Sequence, residues 1–123
     1  MIQQYIKGDN MGLKEIEAYK NNTKVITFNV QDENGVIFPL PDFEMYFTVK
    51  NNFDDLDADI IISKTAVIAD ASTGQGVVTL LPADTNIDVK KYVYDVRIEN
   101  ATTGEEYTVA VDDFEILNIV KRS

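Results

Sequence analysis

Three residue types are missing from the 123-residue chain: histidine, cysteine and tryptophan. Without histidine it lacks the commonest general base near neutral pH, the commonest transition-metal ligand and every histidine-based catalytic triad. Without cysteine it can form neither a disulfide nor a thiolate nucleophile. Enzymatic chemistry would have to rely on carboxylates or lysine, so we expect a protein that is not an enzyme and carries no cofactor.

The chain also lacks a long apolar run and a basic cluster. No stretch approaches the length of a membrane span, and residues 1–10 lack the apolar region of a secretory signal peptide. Acidic residues outnumber basic residues by 21 to 11, which gives a net charge of −10 at pH 7. Because such a surface repels phosphate groups, we expect no binding to nucleic acid or membranes.

The stretch Lys91–Asn100 has the clearest periodicity. Its side chains alternate between two faces: Tyr92, Tyr94, Val96 and Ile98 on one, and Val93, Asp95, Arg97 and Glu99 on the other. A period of two in a segment rich in Tyr, Val and Ile is typical of a strand with one buried face. Gly104 and a second alternating run, Tyr107–Val111, follow. We therefore predict a β-hairpin at the centre of the fold.

Further short segments with strand character lie on both sides of this hairpin. They are Leu13–Lys20, Thr23–Gln31, Phe43–Lys50, Ile60–Lys64, Ala66–Ala69, Val77–Leu81 and Phe114–Val120. The pair Ile60–Lys64 and Ala66–Ala69 is either two short strands or one kinked strand. Val36–Pro41 contains two prolines, which cannot donate to a central ladder, so we predict an edge or a crossover there. Turns are predicted at residues 32–35 and 70–76, which are rich in Asp and Gly.

About seven or eight strands without a helix predict an all-β fold, an antiparallel β-sandwich of immunoglobulin-like type. A closed barrel is the alternative. An antibody-type domain is excluded because the Cys…Trp…Cys set is missing. We assign the sandwich to residues 13–120, between an N-terminal arm of residues 1–12 and a polar tail of residues 121–123.

The N-terminal arm carries scattered apolar side chains, namely Ile2, Tyr5, Ile6 and Met11. They are too few to form a core of their own and more apolar than a solvated linker needs. We predict that the arm is an interface that adds to the sheet edge of a neighbouring subunit. The alternative is a first strand that covers its own sheet.

An acidic loop is the one candidate metal site. The spacing Asp55-x-Asp57-x-Asp59 matches the first three ligand positions of an EF-hand loop. The match then fails, because Ile60 stands where glycine is needed and Ala66 stands where the bidentate glutamate should be. We therefore expect a solvated acidic loop and no metal site.

Paired carboxylates for acid and base catalysis could come from Asp84, Asp88 and Asp95, or from Asp112 with Asp113. We expect instead that Asp84 caps a turn and that the others contribute surface charge.

Tyr92 and Tyr94 could form a sugar-binding platform, but their phase with Val96 predicts a place in the core or in a subunit interface. The sequons beginning at Asn21 and Asn100 are interpreted as chance matches, because no signal peptide accompanies them.

An ordered set of motifs resembles a known family. It comprises Asn21–Thr23, FNVQDENGVIFPLPDFEMYFTVK at residues 28–50, the acidic NNFDDLDADIIISK at residues 51–64, Asp84-Thr85, and KYVYDVRI at residues 91–98. Over residues 13–120 this order resembles the N-terminal domain of BppU-type upper baseplate proteins, from tailed phages and prophages of Gram-positive bacteria. The short chain and residues 1–12 depart from that family's pattern.

The resemblance implies a structural virion protein. It would be made in the host cytoplasm and dock into the tail or baseplate, or into the neck or capsid, through contacts with other virion proteins in a homo- or hetero-oligomer. The alternative from another class is an immunoglobulin-like module that binds carbohydrate or a cell surface and decorates a phage particle or fibre. Neighbouring tail, neck or capsid genes would favour the structural role.

Overall fold

Nine strands are formed by the part of the chain that the computed structural model describes: the backbone of residues 5–7, and residues 15–32, 34–54 and 59–118. They are β1 (Tyr5–Lys7), β2 (Ile16–Tyr19), β3 (Lys24–Gln31), β4 (Phe43–Lys50), β5 (Ile62–Thr65), β6 (Val67–Asp70), β7 (Gln75–Leu80), β8 (Lys91–Asn100) and β9 (Glu106–Leu117). A 3₁₀ turn (Ala71–Thr73) precedes β7, and a one-turn helix α1 (Pro82–Thr85) follows it. Among these residues, no helix has the length and apolar character to cross a bilayer.

The strands form two sheets packed face to face, with orders β1-β3-β7-β6 and β2-β9-β8-β4-β5. The all-β sandwich predicted from the sequence is therefore confirmed, and the barrel alternative is wrong. The expectation of a wholly antiparallel fold is wrong at one place, where β2 pairs with β9 in parallel. Parallel neighbours need a long connection, and these two strands are joined by almost the whole domain.

The predicted central hairpin is confirmed. Strand β8 is the middle strand of the second sheet, between β9 and β4. Its core-facing side chains are at most 3% exposed: Tyr92, Tyr94, Val96 and Ile98. The alternation therefore gives the correct register for this strand, and also for β3 and β4, whose residues Ile26, Phe28, Val30, Met45, Phe47 and Val49 are buried.

Strand β9 corrects one boundary. The sequence predicts two strands, Tyr107–Val111 and Phe114–Val120, but the structure has one strand, Glu106–Leu117. Its pairing with β8 shifts by one residue, so that Val109 and Ala110 are both buried in succession. This β-bulge reverses the alternation inside a continuous strand, which in the sequence looks like an interruption. Residues 119–120 lie outside the described part.

The crossover predicted at Val36–Pro41 is confirmed. This segment carries the chain from β3 in the first sheet to β4 in the second. The Phe38 amide donates to the carbonyl of Val30 at 3.0 Å, and the Leu40 amide donates to the carbonyl of Ala71 at 2.8 Å. Leu40 is only 1% exposed, so the crossover closes one end of the core.

The turn predicted at residues 70–76 is shorter in the structure, because Gln75 and Gly76 already belong to β7. A Cβ at Gly76 would lie 2.6 Å from Sδ of the buried Met45, so the glycine lets β7 pack closely against Met45.

Strands β5 and β6 are separate and lie in different sheets, with the buried Ala66 between them.

Candidate functional site

Tyr92 and Tyr94 belong to the core. The Tyr92 hydroxyl donates to the backbone carbonyl of Asp88 at 2.8 Å. Burial raises the pKa of Tyr92, and the nearby Asp88 carboxylate adds to the rise. Burial also raises the pKa of Tyr94, and the negative charge of Asp112 raises it further. Both phenols therefore stay neutral, and the sugar-platform alternative is wrong for this pair because neither ring faces solvent.

Asp84 caps a turn, as the sequence predicts. Its Oδ2 accepts from the Leu81 amide at 2.8 Å and lies 2.8 Å from Nζ of Lys64, on β5. Partial burial opposes the charged carboxylate, but the hydrogen bonds from Lys64 and Leu81 and the Lys64 charge outweigh it, so the pKa of Asp84 is lowered. The Asp84 carboxylate therefore holds α1 against the second sheet.

Among the described residues, none of the other candidate acids forms an acid–base pair with Asp84. Asp112 and Asp113 are consecutive in β9, so their side chains point to opposite faces of the sheet. Asp113 lies on the outer face, 3.9 Å from Nζ of Lys91. Asp95 points outward from β8, opposite Val111.

Part of the acidic loop lies outside the described residues, including Asp55 and Asp57; Asp59 is exposed. The prediction that this loop holds no metal therefore stays a prediction.

A carboxylate cluster that the sequence did not reveal lies on the second sheet. One oxygen from each of Glu15, Glu17 and Glu115 lies within 4.8 Å of the others. The parallel pairing places Glu17 opposite Glu115, which no local motif encodes. Lys91 partly neutralises the cluster through a 3.2 Å ion pair with Glu15.

The two sequons occupy different settings. Asn100 is 7% exposed, and its Oδ1 accepts from the amides of Thr102 at 2.9 Å and Thr103 at 3.1 Å. It therefore serves the β8–β9 turn. Asn21 is exposed and has a φ of 63° in the β2–β3 turn.

The structure describes only residues 5–7 of the N-terminal arm. Residues 5–7 form β1, in antiparallel pairing with β3 of the same chain. This is the arrangement of the alternative in which the segment covers its own sheet. Ile2 and Met11 lie outside the described residues, as do the side chains of Tyr5 and Ile6, and intersubunit pairing by this arm stays a prediction.

The outer face of the second sheet is densely charged. We call it the charged face and define it by the outward acidic and basic residues Glu15, Glu17, Glu44, Lys50, Lys91, Asp95, Arg97, Glu99, Glu106, Asp113 and Glu115. Three of its acids, Glu44, Glu99 and Glu106, are direct cross-strand neighbours. Arg97 relieves their repulsion, since its Nε lies 3.3 Å from Glu106.

The outer face of the first sheet is different. Its outward positions on β3, β6 and β7 include Val25, Thr27, Val67, Gln75, Val77 and Thr79, and the exposed Asp70 at the end of β6 pairs with Gln75; we call this the sparsely charged face. Binary patterning alone does not separate the two outer faces, because both alternate with buried residues. The difference can be read from the sequence only after the strands are assigned to their sheets.

A shallow cavity lies where the charged face meets the loop after β4. It is lined by residues such as Thr48, Phe53 and Asp95, and its volume is about 30 Å³. That volume accommodates about one or two water molecules. The cavity does not enclose a ligand of the size of a sugar ring.

No family model and no curated protein matches this sequence.

Proposed function

We propose that the chain is a structural protein of a tailed-phage particle, in the tail or baseplate, and that it acts through protein–protein contacts. The proposal starts from the ordered motifs of residues 13–120. Residues 28–50, which carry the longest of them, span the end of β3, a turn, the crossover and β4. The motif at residues 91–98 lies in β8, the middle strand of the second sheet.

The same proposal includes an immunoglobulin-like class for the sandwich. In that fold one sheet has the strand order A-B-E-D and the other contains C, F and G. Here β1-β3-β7-β6 corresponds to the first order, and β4, β8 and β9 correspond to C, F and G. Strand β2 adds to the edge beside β9, and β5 adds to the edge beside β4.

A tyrosine near the start of β8 supports this class. In immunoglobulin-like domains, a tyrosine near the start of strand F donates its hydroxyl to the backbone a few residues upstream, two residues before the second cysteine. Tyr92 makes this bond to Asp88. Tyr94 then occupies the place of the cysteine and stacks on Phe47 of β4, with ring centroids 5.6 Å apart.

Phe47 stands on the strand that carries the tryptophan of antibody domains. Its ring also packs on Phe28 at 6.1 Å and on Phe114 at 6.0 Å. These aromatic rings link β3, β4, β8 and β9 across the core, where an antibody domain uses a disulfide and a tryptophan. Aromatic packing therefore takes the place of the disulfide in a chain without cysteine.

The observation that carries the structural role is the shape of the described surface: two broad sheet faces, one densely charged and one sparsely charged. Broad outer faces of this kind suit contacts with other proteins better than they suit the enclosure of a small ligand. The shallow cavity beside Phe53 does not enclose a sugar. The sugar-binding alternative would depend on exposed aromatic rings such as those of Phe53, which is 58% exposed, and Tyr19, which is 53% exposed.

The test is a deletion of the gene in the phage or prophage that encodes it. We expect particles that lack a tail or baseplate component in electron micrographs, with infectivity restored when the full chain is supplied in trans. A chain lacking residues 1–11 tests the arm: if the arm holds a neighbour, it keeps its thermal stability but does not restore infectivity. Normal particles and normal titre from the deletion mutant would contradict the proposed role.

A further inference from the structure

We propose that Asn34 is a deamidation site that Asp32 keeps closed in the native turn after β3, and that conversion of Asn34 loosens the crossover at Val36–Pro41. The inference concerns the covalent chemistry of this turn and does not depend on a place in a virion. Asn34 is the one asparagine of the chain that glycine follows. Because glycine has no Cβ, nothing shields its backbone nitrogen from the asparagine side chain.

The reaction begins when the backbone nitrogen of Gly35 attacks the side-chain carbonyl carbon of Asn34. The nitrogen loses its proton, a new C–N bond closes a succinimide ring, and the side-chain amide group leaves as ammonia. Water then opens the ring at either of its carbonyls, which yields aspartate or isoaspartate. The sum of the steps consumes one water and releases one ammonia, so it needs no oxidant, reductant or further reactant.

The turn brings these groups to the surface. Asn34 and Gly35 are both exposed to solvent, directly after β3. Gly35 has a φ of 77°, a backbone conformation in which a residue with a Cβ is strained. The turn therefore needs glycine at this position for its geometry, and the same glycine provides the unshielded nitrogen.

Hydrogen bonds to Asp32 oppose the attack. The Gly35 amide donates to the backbone carbonyl of Asp32 at 3.0 Å, so the proton that must leave is already engaged. Oδ1 of Asp32 accepts from the amides of Asn34 at 2.8 Å and Val36 at 3.0 Å. Ring closure requires the main chain at Asn34 to rotate, which breaks these contacts. The closed turn therefore slows deamidation.

The chain that follows the turn is held at both of its first contacts. Gln31 and Ile37 form a bridge, and the Phe38 amide donates to the carbonyl of Val30 at 3.0 Å. Isoaspartate carries the main chain through the former side chain and so adds an atom to the backbone before these contacts. The extra atom displaces the amides that follow, and with them the crossover that places the buried Leu40 in the core.

Tandem mass spectrometry of peptides from the full chain, kept at neutral pH below its melting temperature, tests the site. Asn34 should convert at least about fivefold more slowly in the folded wild type than in guanidinium chloride, because one ordinary hydrogen bond already contributes about that factor. Asp32→Ala should raise the rate in the folded protein at least about fivefold for the same reason. Asp32→Asn keeps a side-chain acceptor and should stay within about twofold of the wild type.

Gly104→Ala is the control for a general loss of stability. Gly104 also has a positive φ, of 79°, but it lies in the β8–β9 turn and leaves Asp32 untouched. This variant should deamidate at Asn34 as slowly as the wild type. A folded wild type that converts as fast as the unfolded chain, or an Asp32→Ala variant that converts no faster than Gly104→Ala, would overturn the inference.

Thermal unfolding tests the effect on the crossover. Asn34→Asp has the charge of the deamidated product without the additional backbone atom, so it is the matched control. The isoaspartate form, separated from aged wild type by chromatography, should melt several degrees below Asn34→Asp, because it alone displaces the crossover. Equal melting temperatures for the two proteins would overturn the proposed link between this turn and the crossover.

Discussion

The hydroxyl of Tyr92 donates a 2.8 Å hydrogen bond to the backbone carbonyl of Asp88, four residues earlier in the chain. The bond joins the first buried side chain of β8 to the connection that leads from α1. It fixes where the central strand begins, and thereby which residues of β8 face the core. Thr85 holds the other end of this connection, since its hydroxyl donates to the carbonyl of Asn22 at 2.8 Å.

Tyr92→Phe should lower the free energy of unfolding by about 1 kcal/mol, because a partly buried hydrogen bond to the Asp88 carbonyl is lost while the ring is kept. The matched control is Tyr46→Phe, whose hydroxyl bonds to Glu44 at 2.7 Å on the exposed side of β4. That change should cost less than about 0.5 kcal/mol. Urea unfolding measures both, and equal losses would show that the Tyr92 bond does not position β8.

Phe47→Ala should destabilise the fold by about 3 to 5 kcal/mol, because it opens a cavity among Phe28, Tyr94 and Phe114. Phe53→Ala makes the same change at a ring that is 58% exposed, and should cost less than about 1 kcal/mol. Thermal unfolding followed by circular dichroism distinguishes them. Similar melting temperatures for the two variants would mean that the aromatic cluster does not hold the sheets together.

Gly74→Ala should be much more harmful than Gly104→Ala, although both glycines have positive φ, of 70° and 79°. At Gly104 an added Cβ meets nothing within 4 Å, so the cost is the backbone term alone, about 1 to 2 kcal/mol. At Gly74 it would lie 2.6 Å from the carbonyl oxygen of Phe38, so the crossover must move. Equal unfolding midpoints in urea would contradict this placement of the crossover.

Asp84→Asn should make stability less dependent on pH in the acid range. The lowered pKa of Asp84 means that its ionised form stabilises the fold. That contribution is complete above 3.8, the ordinary pKa of an aspartate side chain, and is lost as pH falls through the lowered pKa of Asp84. The wild type should therefore exceed Asp84→Asn in stability at pH 7, and the two should converge below pH 3.8. Asp54→Asn, in an exposed loop, serves as the control, and a constant gap at all pH values would contradict the prediction.

Local alternation predicted the strands that have one buried face. Residues 26, 28 and 30 of β3 and residues 92 to 98 of β8 could be assigned to the core because each lies in an uninterrupted period of two. The two prolines of Val36–Pro41 limited that segment to an edge or a crossover. These features are local, and the sequence is sufficient to specify them.

The pairing of strands that are far apart in the chain could not be predicted from the sequence. The parallel contact of β2 with β9 joins residues about a hundred positions apart, so neither it nor the cluster of Glu17 with Glu115 has a local signal. The bulge at Val109 was missed because a reversal of phase inside one strand looks the same as a break between two. The contrast between the two outer faces depends on which strands share a sheet, and this became apparent only from the topology.

The central claim, that the chain is a building block of a phage particle, is tested most directly by quantitative mass spectrometry of gradient-purified particles from the phage or induced lysogen that encodes it. We expect the chain to be recovered in intact particles, at a copy number per particle that matches the rotational symmetry of the tail or a multiple of it. Recovery of the chain only in the particle-free lysate, with none in particles that contain the other tail proteins, would contradict it.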